Sequence, residues 1–239
     1  MLVFETESIT LRQAAITTGI AMIIMAICAM FAVGFVDNRF IIDGDATATV
    51  SNIKNSMSLF QAGIFSWLII LICDIILSWS LFVFLKQINS SLSLLGLLFR
   101  LMYTSFLGLA IFNLVRVAIL LSDNEFLSFQ TDELLSLAML FIVSFQEFWS
   151  FGLIIFGIHL FIIGFLVIRS GFIPKLMGFL LLIASVSYML VHTMYVFLPQ
   201  YDNITRILEN ILSLPMTIGE LGLGIWMLIK GGKTTKVEV

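Results

Sequence analysis

Long apolar runs separated by short polar clusters dominate this chain. About 20 residues at a rise of about 1.5 Å suffice to cross a ~30 Å hydrocarbon layer. Runs that meet this length lie at residues 15–36, 60–85, 92–121, 134–168, 174–198 and 207–229. The pattern predicts an all-α polytopic membrane bundle of six transmembrane helices. It forms a single domain over 15–230, with short segments 1–14 and 231–239 outside it. The first run exceeds a signal-peptide core of roughly 7–15 residues, and only Arg12 flanks it as a base. It therefore reads as a retained span.

The breaks between runs carry their own signals. After the first span comes a turn at Asp43-Gly44-Asp45, where the Asp45 carboxylate can cap a short helix, Ala46 to Asn55. That helix reads either as an ordinary capped loop helix, which is favoured, or as a surface helix turning Val50, Ile53 and Met57 toward lipid. The loop from Ser122 to Glu133 is acidic, and the apolar stretch after it runs into span four without a breaker. One long helix that outgrows the bilayer follows from this. Pro174 suits the first turn of span five, Pro199 to Arg206 reads as a loop, and Pro215 should kink span six. Ser150, Gly157, Gly164 and Gly171 recur at heptad spacing. They make a narrow small-residue stripe along which another helix can approach closely in lipid. No internal repeat relates the first three spans to the last three.

Composition agrees with the pattern: 60% of residues are hydrophobic and 11% charged, far from the ~25% charged typical of soluble domains. The formal net charge of -3 and the lack of a basic patch exclude nucleic acid as a partner. Cys28 and Cys73 both fall in apolar runs and imply no disulfide framework. Arg12, Lys86, Arg169, Lys175, Lys230, Lys233 and Lys236 flank one side, against Arg39, Lys54 and Arg206 on the other. The positive-inside rule then puts both termini in the cytoplasm. Asn203-Ile204-Thr205 matches a glycosylation acceptor, a pattern that arises easily by chance.

Ionisable side chains inside spans cost about 2.5–3.5 kcal/mol each at mid-membrane on insertion scales, so each one needs a reason. Arg100 is expected to snorkel toward headgroups. Arg116 either snorkels or pairs with Glu147 at a similar depth. Asp74 lies too deep to snorkel and must be protonated or partnered; with Ser78, one turn on, it is a candidate proton or ion site. Glu220 shares a polar helix face with Glu209, Ser213 and Gly224, and span five carries the stripe Gly178, Ser185, Tyr188 and His192. Asn113, Arg116, Glu147 and His192, with Glu220 beside them, are the expected lining of a polar cavity in the outer leaflet. His159 and His192 sit at different depths, which disfavours a bis-histidine haem, and no HxxxH or HExxH spacing announces a metal. No cofactor is expected. His159, a lone histidine on its span and opposite the small-residue stripe, reads as a hydrogen-bonded packing residue.

Several segments together carry a family resemblance. They are the Gly44-Asp45-Ala46 turn, Phe156-Gly157-Ile158-His159-Leu160, and Arg169-Ser170-Gly171-Phe172-Ile173-Pro174, followed by Gly178 and Gly219-Glu220. In these the chain resembles the prokaryotic membrane protein family called domain of unknown function 4386, from about Arg12 to Gly232. The resemblance implies a compact multi-span helical protein in a bacterial or archaeal cell membrane and carries no activity. It also draws His159 and Glu220 into matching motifs, against the packing reading of His159.

Three functions fit these residues. The preferred one is a binding or accessory protein, surrounded by membrane lipids, whose outer-leaflet cavity takes a small polar or amphiphilic ligand. An intramembrane lipid-modifying enzyme, with Glu147 or Glu220 as base and His192 as acid or metal ligand, is the first alternative. A small proton-coupled carrier using Asp74 or Glu220 is the second.

Overall fold

The computed structural model describes residues 9–42, 44–122 and 131–233, and the side chains of Asp37, Asn38 and Thr131 are left aside. Its elements are helices, and no strand occurs among the described residues. Helix α1 (Leu11–Ala29) continues as a π-helix over Met30–Asp37 and ends in a short turn, Asn38–Phe40. There follow α2 (Ala46–Asn55), α3 (Met57–Leu85), α4 (Ser90–Ser122), α5 (Thr131–Arg169), α6 (Lys175–Phe197) and α7 (Asp202–Lys230). Among the described residues, six helices are long and apolar enough to cross a membrane: α1 with its continuation, and α3 to α7.

Local chemistry sets the boundaries. Thr10 and Gln13 form a reciprocal capping box at the start of α1. Between α5 and α6 the chain reverses at Gly171, whose φ of 72° favours glycine. The Ser170 hydroxyl accepts the Ile173 N–H there (3.1 Å). Pro174 then presets the entry to α6. The stretch Pro199 to Arg206, expected as a loop, is helical: a 3-10 turn over Pro199–Tyr201 feeds directly into α7. Asp202 in the first turn suits this earlier start, because an acid there opposes the positive end of the helix dipole. Helix α7 runs through Pro215.

The spanning helices close into a ring. Each packs against its neighbours in sequence, and α7 packs back on α1. Small residues set the closest approaches, as expected where lipid removes the hydrophobic drive for association. The stripe of Gly157 and Gly164 faces α6, where the Ser185 hydroxyl donates to the Gly157 carbonyl (2.7 Å). A Cβ on Gly178 would lie 2.5 Å from Ile168 Cγ1 and 2.9 Å from the Gly164 oxygen. At the ring closure, Arg12 of α1 donates from Nη1 to the Gly231 carbonyl (2.8 Å) and from Nη2 to the Leu228 carbonyl (2.8 Å). A cation there also opposes the negative end of the α7 dipole. Both ends of the ring sequence therefore meet at one end of the bundle, called here the terminal end.

At the opposite end α5, 39 residues long, reaches about 58 Å at 1.5 Å per residue and outgrows the bilayer. Its first turns pack with α2. Val50 and Ile53 are buried at 4% and 0% exposure, so they do not turn to lipid. Val50 instead covers Leu120, Leu134 and Ala138 of α4 and α5. Asp45 caps α2 by accepting the Ala48 N–H (2.8 Å). Asp43, most of the acidic 122–133 loop and Lys236 lie outside the described residues.

Candidate functional site

Four ionisable side chains from four helices occupy one level. Asp74 lies eleven residues before the end of α3 at Leu85, and Arg100 ten after the start of α4 at Ser90. His159 lies ten before Arg169 at the end of α5, and Glu220 ten before Lys230 at the end of α7. All four are thus about 15–17 Å from the terminal end by helical rise, near the middle of a ~30 Å layer.

Arg100 is the pivot of this layer. It is 2% exposed and does not snorkel, contrary to the sequence expectation. Its Nε and Nη2 both donate to Oδ1 of the fully buried Asp74 (2.8 and 2.5 Å). The guanidinium has found a carboxylate at its own depth, and reaching the headgroups would leave that carboxylate unpaired. Its remaining arm, Nη1, points to His159 Nε2 (3.3 Å), while His159 Nδ1 meets the Gly96 carbonyl (2.8 Å). A guanidinium only donates and a carbonyl only accepts. The imidazole must therefore carry its hydrogen on Nδ1 and accept at Nε2, which makes it neutral. Asp74 Oδ2 is buried without a hydrogen-bond partner. Ser78 donates to the Asp74 backbone carbonyl (2.7 Å) and leaves the carboxylate alone.

Aromatic rings bind this layer to the rest of the core. Phe156 lies under the Arg100 guanidinium, 5.1 Å from ring centre to Cζ, and meets Tyr188 edge-on at 5.2 Å between centroids. The Tyr188 hydroxyl donates to Glu220 Oε1 (2.8 Å). Tyr103, one turn from Arg100, also packs on Phe156 (4.9 Å). Nearer the opposite end, Trp67 and Trp149 stand edge to face at 5.0 Å, and the indole N–H groups of both are buried without a hydrogen-bond partner.

Beyond the tryptophans the bundle opens. A cleft of about 1040 Å³ lies between α5, α6 and α7 at the end opposite the termini. Glu147, Ser150, His192, Tyr195, Asp202, Arg206, Glu209 and Asn210 supply its polar lining, and Phe106, Phe148 and Phe151 part of its apolar wall. His192 Nδ1 pairs with Ser150 Oγ (3.3 Å), Tyr195 donates to Glu209 Oε2 (2.5 Å), and Arg206 bonds Asp202 (2.9 Å). The three carboxylates Glu147, Asp202 and Glu209 outnumber the one guanidinium.

The sequence-derived set is thus divided. Glu147 and His192 reach the cleft, whereas Asn113, Arg116 and Glu220 are not among its lining residues. The Asn113 amide donates to its own helix at Leu109, and Arg116 lies over the rings of Phe112 and Phe141 (4.9 and 5.4 Å). Glu220 belongs to the mid-depth layer, so the three-residue set His192, Glu147 and Glu220 is not gathered. No cluster of three His, Cys, Asp or Glu side chains suited to a metal occurs among the described residues. Sequence reasoning missed Arg100 as a site residue. The signal was present in the equal counts from Asp74, Arg100, His159 and Glu220 to the polar ends of their helices.

Six apolar helices closed around a buried charged layer define a multi-pass α-helical membrane protein. The chain belongs to the family described as domain of unknown function (DUF4386), whose sequence profile matches residues 17–231. It is similar to an uncharacterized protein of Archaeoglobus fulgidus, 28% identical over 171 residues, which cover 71% of this chain and 83% of that protein. No solved structure matches it significantly.

Proposed function

We propose that this is a binding protein of the prokaryotic cell membrane, with both termini cytoplasmic and the cleft opening externally. Its ligand is a small amphiphile with a positively charged head. The orientation rests on the excess of Arg and Lys at the terminal end. The observation that carries the ligand reading is the cleft itself. Its carboxylates Glu147, Asp202 and Glu209 outnumber Arg206, and its walls are Phe106, Phe148, Phe151 and Tyr195. Aromatic faces and carboxylates both favour a cation, and the apolar wall accommodates a hydrocarbon tail.

Tetraphenylphosphonium and an uncharged analogue of similar size provide the test, titrated against the purified protein in lipid nanodiscs. The cation is expected to bind more tightly than the neutral probe. The double change Glu147→Gln with Glu209→Gln should weaken the cation about tenfold or more, equivalent to about 1.4 kcal/mol, with melting temperature little altered. Equal binding of both probes, or a cation affinity indifferent to the double change, refutes the reading.

A further inference from the structure

The mid-depth layer contains an imbalance. It holds two carboxyl groups, Asp74 and Glu220, one guanidinium, Arg100, and an imidazole whose partners fix it as neutral. Every arm of Arg100 is committed, two to Asp74 and one to His159. Glu220 has the Tyr188 hydroxyl as its hydrogen-bond donor.

Among the described residues, the groups at the level of Glu220 on the surrounding helices supply no second cation. From α6 comes Tyr188, and at the same level α3 carries Asp74 and α4 carries Arg100 and Tyr103. Helix α1, which also packs on α7, contains only Arg12 and Cys28 as ionisable side chains, and Arg12 is held at the terminal end. Two ionised carboxylates here would leave a net negative charge in hydrocarbon surroundings. An isolated charge in such a medium is far costlier than its neutral form. One further positive charge must therefore enter the layer. A metal cation of the hard type wants about six or more oxygen ligands, and these two carboxyl groups are on different helices, each with one oxygen already taken up, Oδ1 of Asp74 by Arg100 and Oε1 of Glu220 by Tyr188. A proton needs one oxygen.

We propose that the mid-depth layer is a proton-binding site that holds one exchangeable proton on the Glu220 carboxyl, beside the Tyr188 hydroxyl. Tyr188 shares its face of α6 with His192 and Tyr195, whose rings follow at 5.9 and 6.0 Å and line the cleft, so the cleft is the water-filled space on the side of the site from which exchange is expected. The proton count obeys a simple rule: it equals the number of carboxyl groups in the layer minus the number of guanidiniums. The site stands whether or not the cleft binds a cationic amphiphile, since it rests on groups outside the cleft.

Infrared difference spectroscopy of the full chain in nanodiscs at neutral pH reads this count directly. Surface carboxylates are ionised there, so an undissociated carboxyl band reports the buried site. Wild type should show one such group per chain, shifted in D2O. Glu220→Gln should abolish the band, Asp74→Asn should abolish it because Arg100 then balances Glu220, and Arg100→Gln should double it. Tyr188→Phe should keep the band at a shifted frequency. Should the Asp74 or Arg100 variant fail to fold, wild type against Glu220→Gln decides alone. A wild type without the band, a band that survives Glu220→Gln or ignores D2O, or its removal by sodium at constant pH overturns the proposal.

Discussion

Two ion pairs among the described residues use the same chemistry in opposite surroundings. Asp74 and Arg100 are 0% and 2% exposed in the middle of the ring, whereas Asp202 and Arg206 are 46% and 54% exposed at the mouth of the cleft. In the first pair neither partner can turn to water. Geometry is over-determined by Phe156, His159 and Gly96, and the helices are held in one register. In the second pair solvent competes for each charge, so the pair adds little to stability and lies on a surface that an entering molecule meets. The neighbourhood of a charge, more than its type, separates a structural pivot from a recognition surface.

Three substitutions sharpen this contrast, in falling order of effect. Asp74→Ala leaves the Arg100 Nε and Nη2 buried without their acceptor, with Glu220 balancing the charge only at a distance, and should cost about 3–5 kcal/mol, as removal of one partner of a buried pair does. Thermal unfolding in detergent would record it, and the double change Asp74→Ala with Arg100→Leu should recover much of the loss. If the single change were harmless, charge balance without direct contact would suffice and the pivot reading would fall. Gly178→Ala probes the seam between α5 and α6, where a Cβ meets backbone at 2.9 Å. Overpacking there should cost about 1–3 kcal/mol, seen in the same melt. Asp202→Ala removes the exposed pair and should shift stability by about 0.5–1 kcal/mol, with the helix N-terminus contributing part of it. An effect as large as that of Asp74→Ala would erase the distinction between the two regions.

Most of the architecture was legible because a bilayer leaves few solutions: uninterrupted apolar runs must become helices. The seam was legible too, since Gly157 and Gly164 repeat along one face. Other features depend on partners that one helix cannot announce. Arg100 looked able to snorkel when considered on α4 alone, and only the level of Asp74 and His159 on neighbouring helices explains its burial. The favoured reading of Ala46–Asn55 as a capped loop helix could be made from Asp45 alone, but its cover could not: Val50 is buried against Leu120 of α4 and Leu134 and Ala138 of α5, which only the folded bundle brings to it. The π-helical stretch Met30–Asp37 has no composition cue. Likewise, Glu209 and Tyr195 form a cleft pair that helical spacing within either span does not reveal.

The closure of the ring by Arg12 has a consequence for biosynthesis. Its carbonyl partners lie on residues 228 and 231, more than two hundred positions along the chain. Helices α3 to α6 each find a sequence neighbour already in the membrane as they leave the ribosome, but α1 must wait with one flank uncovered until α7 is made. Ribosome-bound chains halted before α7 should therefore be the ones on which membrane chaperones linger, and the last helix to emerge is the latch that releases the first.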